Sequence, residues 1–172
     1  MLYCEKDLDI TVVIISVDGD YSKIEKTYNS TNFLSKNYKS IAVIPDGRSI
    51  EPCSCKVYTG GNCITSLIDF GIEKADSEWA YCVFSGSVIK KSIDKKLGKY
   101  VETEKDVLFP VVNRIWNFID GSMNGILINK NFYQSVGKFG SGNTLQNTKL
   151  MWAERALEKG VQFKAIVNAC NL

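Results

Sequence analysis

The sequence predicts an α/β protein: a mostly parallel central sheet flanked by helices on both faces, in one domain spanning residues 1–172. Three observations predict it. The run from Ile10 to Ser16 is almost continuously β-branched, which is the pattern of a strand buried on both faces rather than one alternating with water. Downstream, the apolar pattern switches repeatedly between short continuous runs and the three-and-four spacing of amphipathic helices. Strands separated by helices need crossover connections, and crossovers make neighbouring strands parallel.

After the first strand, Asp18, Gly19 and Asp20 break the run, and Tyr21, Ile24, Tyr28, Thr31 and Leu34 mark the apolar face of a first helix. A second strand, Ser40 to Ile44, stops at Pro45-Asp46-Gly47, where proline presets φ and glycine accepts positive φ. A short strand around Cys53 to Tyr58 ends in Gly60-Gly61-Asn62; Asn62 then offers an N-cap to a helix whose face is Ile64, Leu67, Ile68, Gly71, Ile72 and Ala75. Trp79 to Phe84 is the next buried strand, broken by Ser85-Gly86-Ser87, and Ile89, Ile93, Leu97 and Tyr100 form the stripe of a third helix. Val107 to Val112 reads as a strand, with Arg114 to Ile119 and Met123 to Ile128 as a hairpin through Asp120-Gly121-Ser122. A short helix over Asn129 to Val136 precedes a glycine-rich, flexible loop, Gly137 to Asn143. Asn143 or Thr144 caps a last helix from Leu145 to Lys159, and Val161 to Val167 closes as a strand.

Composition narrows the chemistry. The apolar fraction of 45% and charged fraction of 23% are those of a folded globular chain. With 21 basic and 19 acidic residues the net charge of +2 supplies no global field for nucleic acid, and none is expected as a partner. The only basic concentration, Lys90, Lys91, Lys95, Lys96 and Lys99, reads as a solvated helix face. Histidine is absent, which excludes Ser-His and Cys-His nucleophile pairs, His-containing zinc sites and histidine as a general base. No run reaches the roughly 18 apolar residues of a membrane span, and the charged start of the chain lacks the apolar core of a signal peptide, so a cytoplasmic location is expected. The six dispersed cysteines read as reduced thiols; Cys53, Cys55 and Cys63 make a poor zinc set, because a one-residue gap in a strand only puts two side chains on one face.

In open sheets of this kind ligands sit beyond the carboxyl ends of the strands, so the loops at Asp18, Asp46, Gly60 and Ser85 are the informative ones. Several segments match a known pattern in order and spacing. Thr11 to Ile15, with Tyr28-Asn29-Ser30, is similar to an opening strand and first helix. Ile41 to Ser49 is similar to a second strand ending in Asp-Asp-Gly-Ser, with Asp46 at the second aspartate and Pro45 in place of the first. Gly61-Asn62 and Asp69 to Ala75 match a helix written Ala-Arg-Asn-Xaa-Gly-Ile-Xaa-Xaa-Ala. Val136-Gly137-Lys138-Phe139, and Trp152 to Arg155 followed by Gly160, match a Gly-Xaa-Phe and a Leu-Xaa-Xaa-Arg segment. Together they resemble a family-2-like glycosyltransferase domain of the GT-A fold, a Rossmann-like member of the nucleotide-diphospho-sugar transferase superfamily.

That resemblance implies a nucleotide-diphosphate sugar as ligand, with Asp18, Asp46, Ser85 and Ser87 as the nucleotide-binding residues; the acceptor is unspecified. Asp46 would read the base or ribose, against the alternative of an ordinary Pro-Asp-Gly turn. Asp18 would lie near the base, against the alternative that Asp18-Gly19-Asp20 caps the first helix. Two departures stand out. Where the family holds a divalent cation on Asp-Xaa-Asp, this chain has Ser85-Gly86-Ser87, two neutral hydroxyls in place of two carboxylates, so no metal cofactor is expected. Where the family places its acceptor-activating acid, this chain has Thr148 and Lys149, and a protonated lysine cannot take a proton from a sugar hydroxyl. Glu154 is six positions from Thr148, about 600° of helical rotation, and projects from another face; Asp120 reads as a turn residue. Two functions stay open: metal-independent glycosyl transfer, or a catalytically inactive binding or structural module of the same fold.

Overall fold

The computed structural model describes residues 9–34, 38–101, 107–109, 123–140, 144–160, 163–165 and 170–171. The first strand, β1 (Ile10–Ile15), is buried at all six positions, as its β-branched run requires. Its residues divide by parity. Val13 and Ile15 enter one core with Leu67, Ile68, Ile72, Trp152 and Ala156, whereas Ile10, Val12 and Ile14 enter another with Ile24, Ile93 and Leu97. The first core lies under helices α2 (Ile64–Lys74), α4 (Lys130–Val136) and α5 (Leu145–Glu158); the second lies under α1 (Tyr21–Ser30) and α3 (Ile93–Val101).

Among the described residues the main sheet has seven strands in the order β3-β2-β1-β4-β7-β6-β8. These are β2 (Tyr38–Ile44), β3 (Lys56–Thr59), β4 (Trp79–Phe84), β6 (Val107–Phe109), β7 (Ile126–Asn129) and β8 (Phe163–Ala165) around β1. Only β7 runs against its neighbours β4 and β6; every other pairing is parallel. The mostly parallel α/β architecture expected from the sequence is the one observed. Helix α2 reaches the sheet at Gly71, where a Cβ would lie 2.3 Å from Val13 Cγ1, so only glycine allows this approach. No helix among the described residues is long and apolar enough to cross a membrane.

Local departures from the sequence reading have identifiable causes. The third helix begins at Ile93, not Ile89, because Val88 and Ile89 form β5 and pair with β9 (Cys170–Asn171). Helix α1 holds that segment extended: Thr27 donates to the Ser87 carbonyl at 2.9 Å and the Ile89 N–H donates to Ser30 Oγ at 3.0 Å. Strand β3 starts at Lys56, three residues later than expected, because Glu25 captures the preceding segment through the Ser54 N–H (2.6 Å), the Ser54 hydroxyl (2.9 Å) and the Cys53 thiol (3.1 Å). Helix α2 is capped by Cys63 rather than Asn62, with Ser66 Oγ accepting from both backbone N–H groups at 3.0 Å. Thr144 caps α5, accepting from the Asn147 N–H at 3.1 Å. The strand read over Arg114 to Ile119 and the turn at Asp120 lie outside the described residues; β7 finds its partners in β4 and β6.

Candidate functional site

The strand registers create the site. Pairing Ile15 with Phe84 puts Ser16 beside Ser85 at the carboxyl ends of β1 and β4, and the two hydroxyls hydrogen-bond at 3.1 Å. Pairing Ile44 with Thr59 likewise puts Asp46 beside Gly61: the Asp46 N–H donates to the Gly61 carbonyl, and the Gly61 N–H donates back to Asp46 Oδ2, each at 3.1 Å. The loops after β1, β2, β3 and β4 therefore leave one edge of the sheet together. That edge is where a doubly wound sheet binds ligands.

Asp18 is joined to this edge. Its Oδ1 accepts the Ser16 hydroxyl at 3.1 Å and the Asp20 N–H at 3.1 Å, while its Oδ2 pairs with the Lys23 ammonium. Hydrogen bonding to Lys23, then to the Asp20 backbone, holds the Asp18 carboxyl at about 2, well below the usual carboxylate range. The capping role falls to Asp20, which accepts from the Ser22 N–H at 2.9 Å and the Lys23 N–H at 3.3 Å at the start of α1. A continuous chain thus links two strand ends, from the exposed Asp18 through the buried Ser16 to the half-buried Ser85. Arg48, from the turn after Asp46, lays its side chain beside Gly19, its Cγ 3.5 Å from where a Cβ would stand. Tyr21 fastens the following residues to α1, donating to the Ser49 carbonyl at 2.8 Å and accepting from the Glu51 N–H at 2.7 Å.

Ser87 differs from the other three residues expected to bind nucleotide. It is fully buried; its hydroxyl lies 3.1 Å from Asn124 Nδ2, and Asn124 Oδ1 accepts the Phe84 N–H at 2.8 Å. Ser85 and Ser87 thus have separate partners and do not present a matched pair of oxygens. The residues available do not fit a divalent cation. Ser87 is committed to Asn124, Ser85 is neutral, and the nearby carboxylates Asp18 and Asp20 already face the Lys23 ammonium. Among the described residues no group of three or more acidic or cysteine side chains is arranged to hold a metal ion. Cys53 and Cys55 stand with sulfurs 3.8 Å apart and Cys63 is bonded to Ser66 on another loop, all as free thiols.

At the place expected for the acceptor-activating acid, Thr148 and Lys149 are both buried, and the Thr148 hydroxyl donates back to the Thr144 carbonyl at 3.0 Å. Glu154 is exposed on another face of α5. The residues behind this region are locked together by Asp69, whose burial has no signal in the sequence. Asp69 accepts the Tyr133 hydroxyl and the Phe139 and Gly140 N–H groups, the latter two at 2.9 Å each. Burial outweighs those bonds and raises its pKa. Trp152 Nε1 donates to the Gly137 carbonyl at 2.8 Å and Arg155 to the Lys138 carbonyl at 2.6 Å, so the described part of the glycine loop is pinned rather than free. Phe139 packs on Trp152 with ring centres 4.6 Å apart. Two clefts, of about 220 Å³ between α2 and α4 and about 450 Å³ between the end of α1 and β2, contain none of the four expected residues. What singles out the strand ends is chemistry and register rather than depth.

Ser16, Lys23 and Arg48 complete the site without having been expected. Ser16 reads as an ordinary last residue of a strand until the β1–β4 register is known. Lys23 did carry a signal: a cation in the first turn of a helix faces the positive end of the dipole, an unfavourable place that calls for a local reason.

No family model and no curated protein matches the chain, but solved structures do. The structure of S. aureus TarS 1–349 superposes with a TM-score of 0.64 at 12% identity, covering 87% of this chain and 56% of that one. TarS 1–349 in complex with UDP gives 0.64 at 12% identity, covering 92% and 58%. The mannosyltransferase PcManGT from Pyrobaculum calidifontis, in complex with GDP-Man and Mn²⁺, gives 0.69 at 9% identity, covering 95% and 57%. The chain therefore spans little more than half of those structures, and it has the GT-A-like glycosyltransferase fold.

Proposed function

We propose that this chain binds a nucleotide-diphosphate sugar at the carboxyl ends of β1, β2 and β4. The observation that carries this reading is the hydrogen-bonded chain from Asp18 through Ser16 to Ser85, set on the same sheet edge as Asp46. Asp46 and Asp18 supply fixed acceptors for base and ribose N–H and O–H groups, Ser85 turns its hydroxyl proton from Ser16 to a phosphate oxygen when the ligand binds, and Ser87 holds the β4 loop in shape through Asn124. The solved complexes of similar fold lend support, since one holds UDP and another GDP-Man. Binding proceeds without a divalent cation.

Whether glycosyl transfer follows is the second half of the reading. An inactive binding module is favoured by one observation: Thr148 and Lys149 are buried where an acid would have to meet an acceptor hydroxyl. Titration calorimetry with UDP and GDP in EDTA tests binding, and release of free sugar from the matching nucleotide sugars tests turnover. Saturable binding with no sugar release supports the module. Sugar release that is unaffected by EDTA supports a metal-independent transferase, and a requirement for Mn²⁺ contradicts both.

A further inference from the structure

We infer that Lys23 is the phosphate-binding cation of this site, supplying from the protein the positive charge that a divalent ion would otherwise bring to a diphosphate. The inference rests on the reading of the strand ends as a nucleotide-diphosphate site, and it names the group that meets the diphosphate. Lys23 belongs to α1 but is fastened to the β4 loop: its carbonyl accepts the Gly86 N–H at 3.0 Å. Its side chain then runs across Gly86, with Cγ and Cδ each 3.8 Å from where a Cβ on that glycine would stand. Gly86 has φ +89°, so the loop conformation itself selects a residue without a side chain and leaves this passage open.

The ammonium arrives beside Asp18, with Asp20 Oδ2 at 3.8 Å, and the side chain remains 48% exposed. An ammonium has three N–H donors. Asp18 takes one and Asp20 lies beyond hydrogen-bond reach, so donors remain for an incoming phosphate oxygen without breaking the Asp18 pair. Charge points the same way. Asp18, Asp20, Lys23 and Arg48 cancel around this loop and Asp46 makes the whole edge −1, so removing the Lys23 charge doubles the net negative charge that a diphosphate would meet. A flexible lysine stem with a compact charge suits a phosphate group, and this stem passes beside Gly86 on its way to Asp18.

The test compares UDP with uridine, and GDP with guanosine, on wild type, Lys23→Met and Lys23→Gln in EDTA, with thermal melts to confirm folding. Lys23 is exposed at the surface, so both variants keep the core intact. The expected result is that each variant loses roughly ten- to hundred-fold in affinity for the diphosphate and distinctly less for the nucleoside, which feels Lys23 only through Asp18. Lys23→Arg should retain most of it. Equal diphosphate affinity in wild type and both uncharged variants would overturn the inference, as would a tenfold or greater gain in wild-type affinity on adding Mn²⁺. A wild-type protein that binds neither nucleoside nor diphosphate overturns the nucleotide reading itself, an outcome distinct from unchanged binding in the variants.

Discussion

Asp18 sits at the meeting point of the helix and sheet contributions to the site, and its carboxyl is held at about 2 mainly by the hydrogen bond from Lys23. An unfolded aspartate titrates near 3.9, so the native state binds this proton less tightly. The stabilisation is complete above that value and is lost as pH falls from about 4 toward about 2. Because both partners are about half exposed, solvent screens the pair and its contribution is small. Melting temperatures between pH 2 and pH 5 should therefore fall slightly less steeply for Asp18→Asn than for wild type; a steeper fall in the variant would contradict the assignment. At this scale the sequence was only partly legible. The place of Asp18 and Asp46 at the sheet edge was readable, because each follows a buried strand. The roles within Asp18-Gly19-Asp20 were not, because capping depends on which residue takes extended backbone, and that is Asp20, with φ −75° and ψ 107°.

Elements were legible where one physical signal dominated. The run in β1 and the three-and-four spacing of α2 each identify a single solution, and both form where expected. Segments decided by a distant side chain were not. Val88-Ile89 has the apolar character of a helix stripe, yet Thr27 and Ser30 on α1 fix it as a strand, and Glu25 does the same work of exclusion at Cys53-Ser54. Close approach of elements gives the sharpest prediction at this level. Gly71→Ala improves helix propensity by about 1 kcal/mol, but its methyl group would stand 2.3 Å from Val13 Cγ1 in the packed interior. Overpacking of this kind costs about 1–3 kcal/mol, and forced movement of α2 off β1 puts this site at the upper end. Urea denaturation should show a net loss of about 1–2 kcal/mol. Unchanged or increased stability would mean that the helix and strand are further apart than described.

For the whole molecule, the fold was legible because alternation of element types constrains topology, whereas the site depends on side chains brought together across the sheet. Ser85 and Ser87 illustrate the limit. In sequence they flank one glycine and read as a pair; in the fold one faces Ser16 and the other is buried against Asn124. Replacing both with aspartate would therefore bury a carboxylate beside Asn124 instead of building a cation site. The double variant should melt several degrees below wild type, and millimolar Mn²⁺ should not restore it. A rise in melting temperature specific to Mn²⁺ would show that the two positions converge after all.

On the proposed reading, the edge formed by the ends of β1, β2 and β4 binds a nucleotide diphosphate without a metal ion. Amide chemical-shift mapping during titration with UDP, and separately GDP, in EDTA tests it most directly, because it reports both binding and place. Saturable shifts are expected with at least one of the two, concentrated at Ser16, Asp18, Asp46, Gly61, Ser85 and Gly86, with little change at the buried Thr148 and Lys149. Saturable shifts confined to the cleft between α2 and α4, or no shifts with either nucleotide at millimolar concentration, would contradict it.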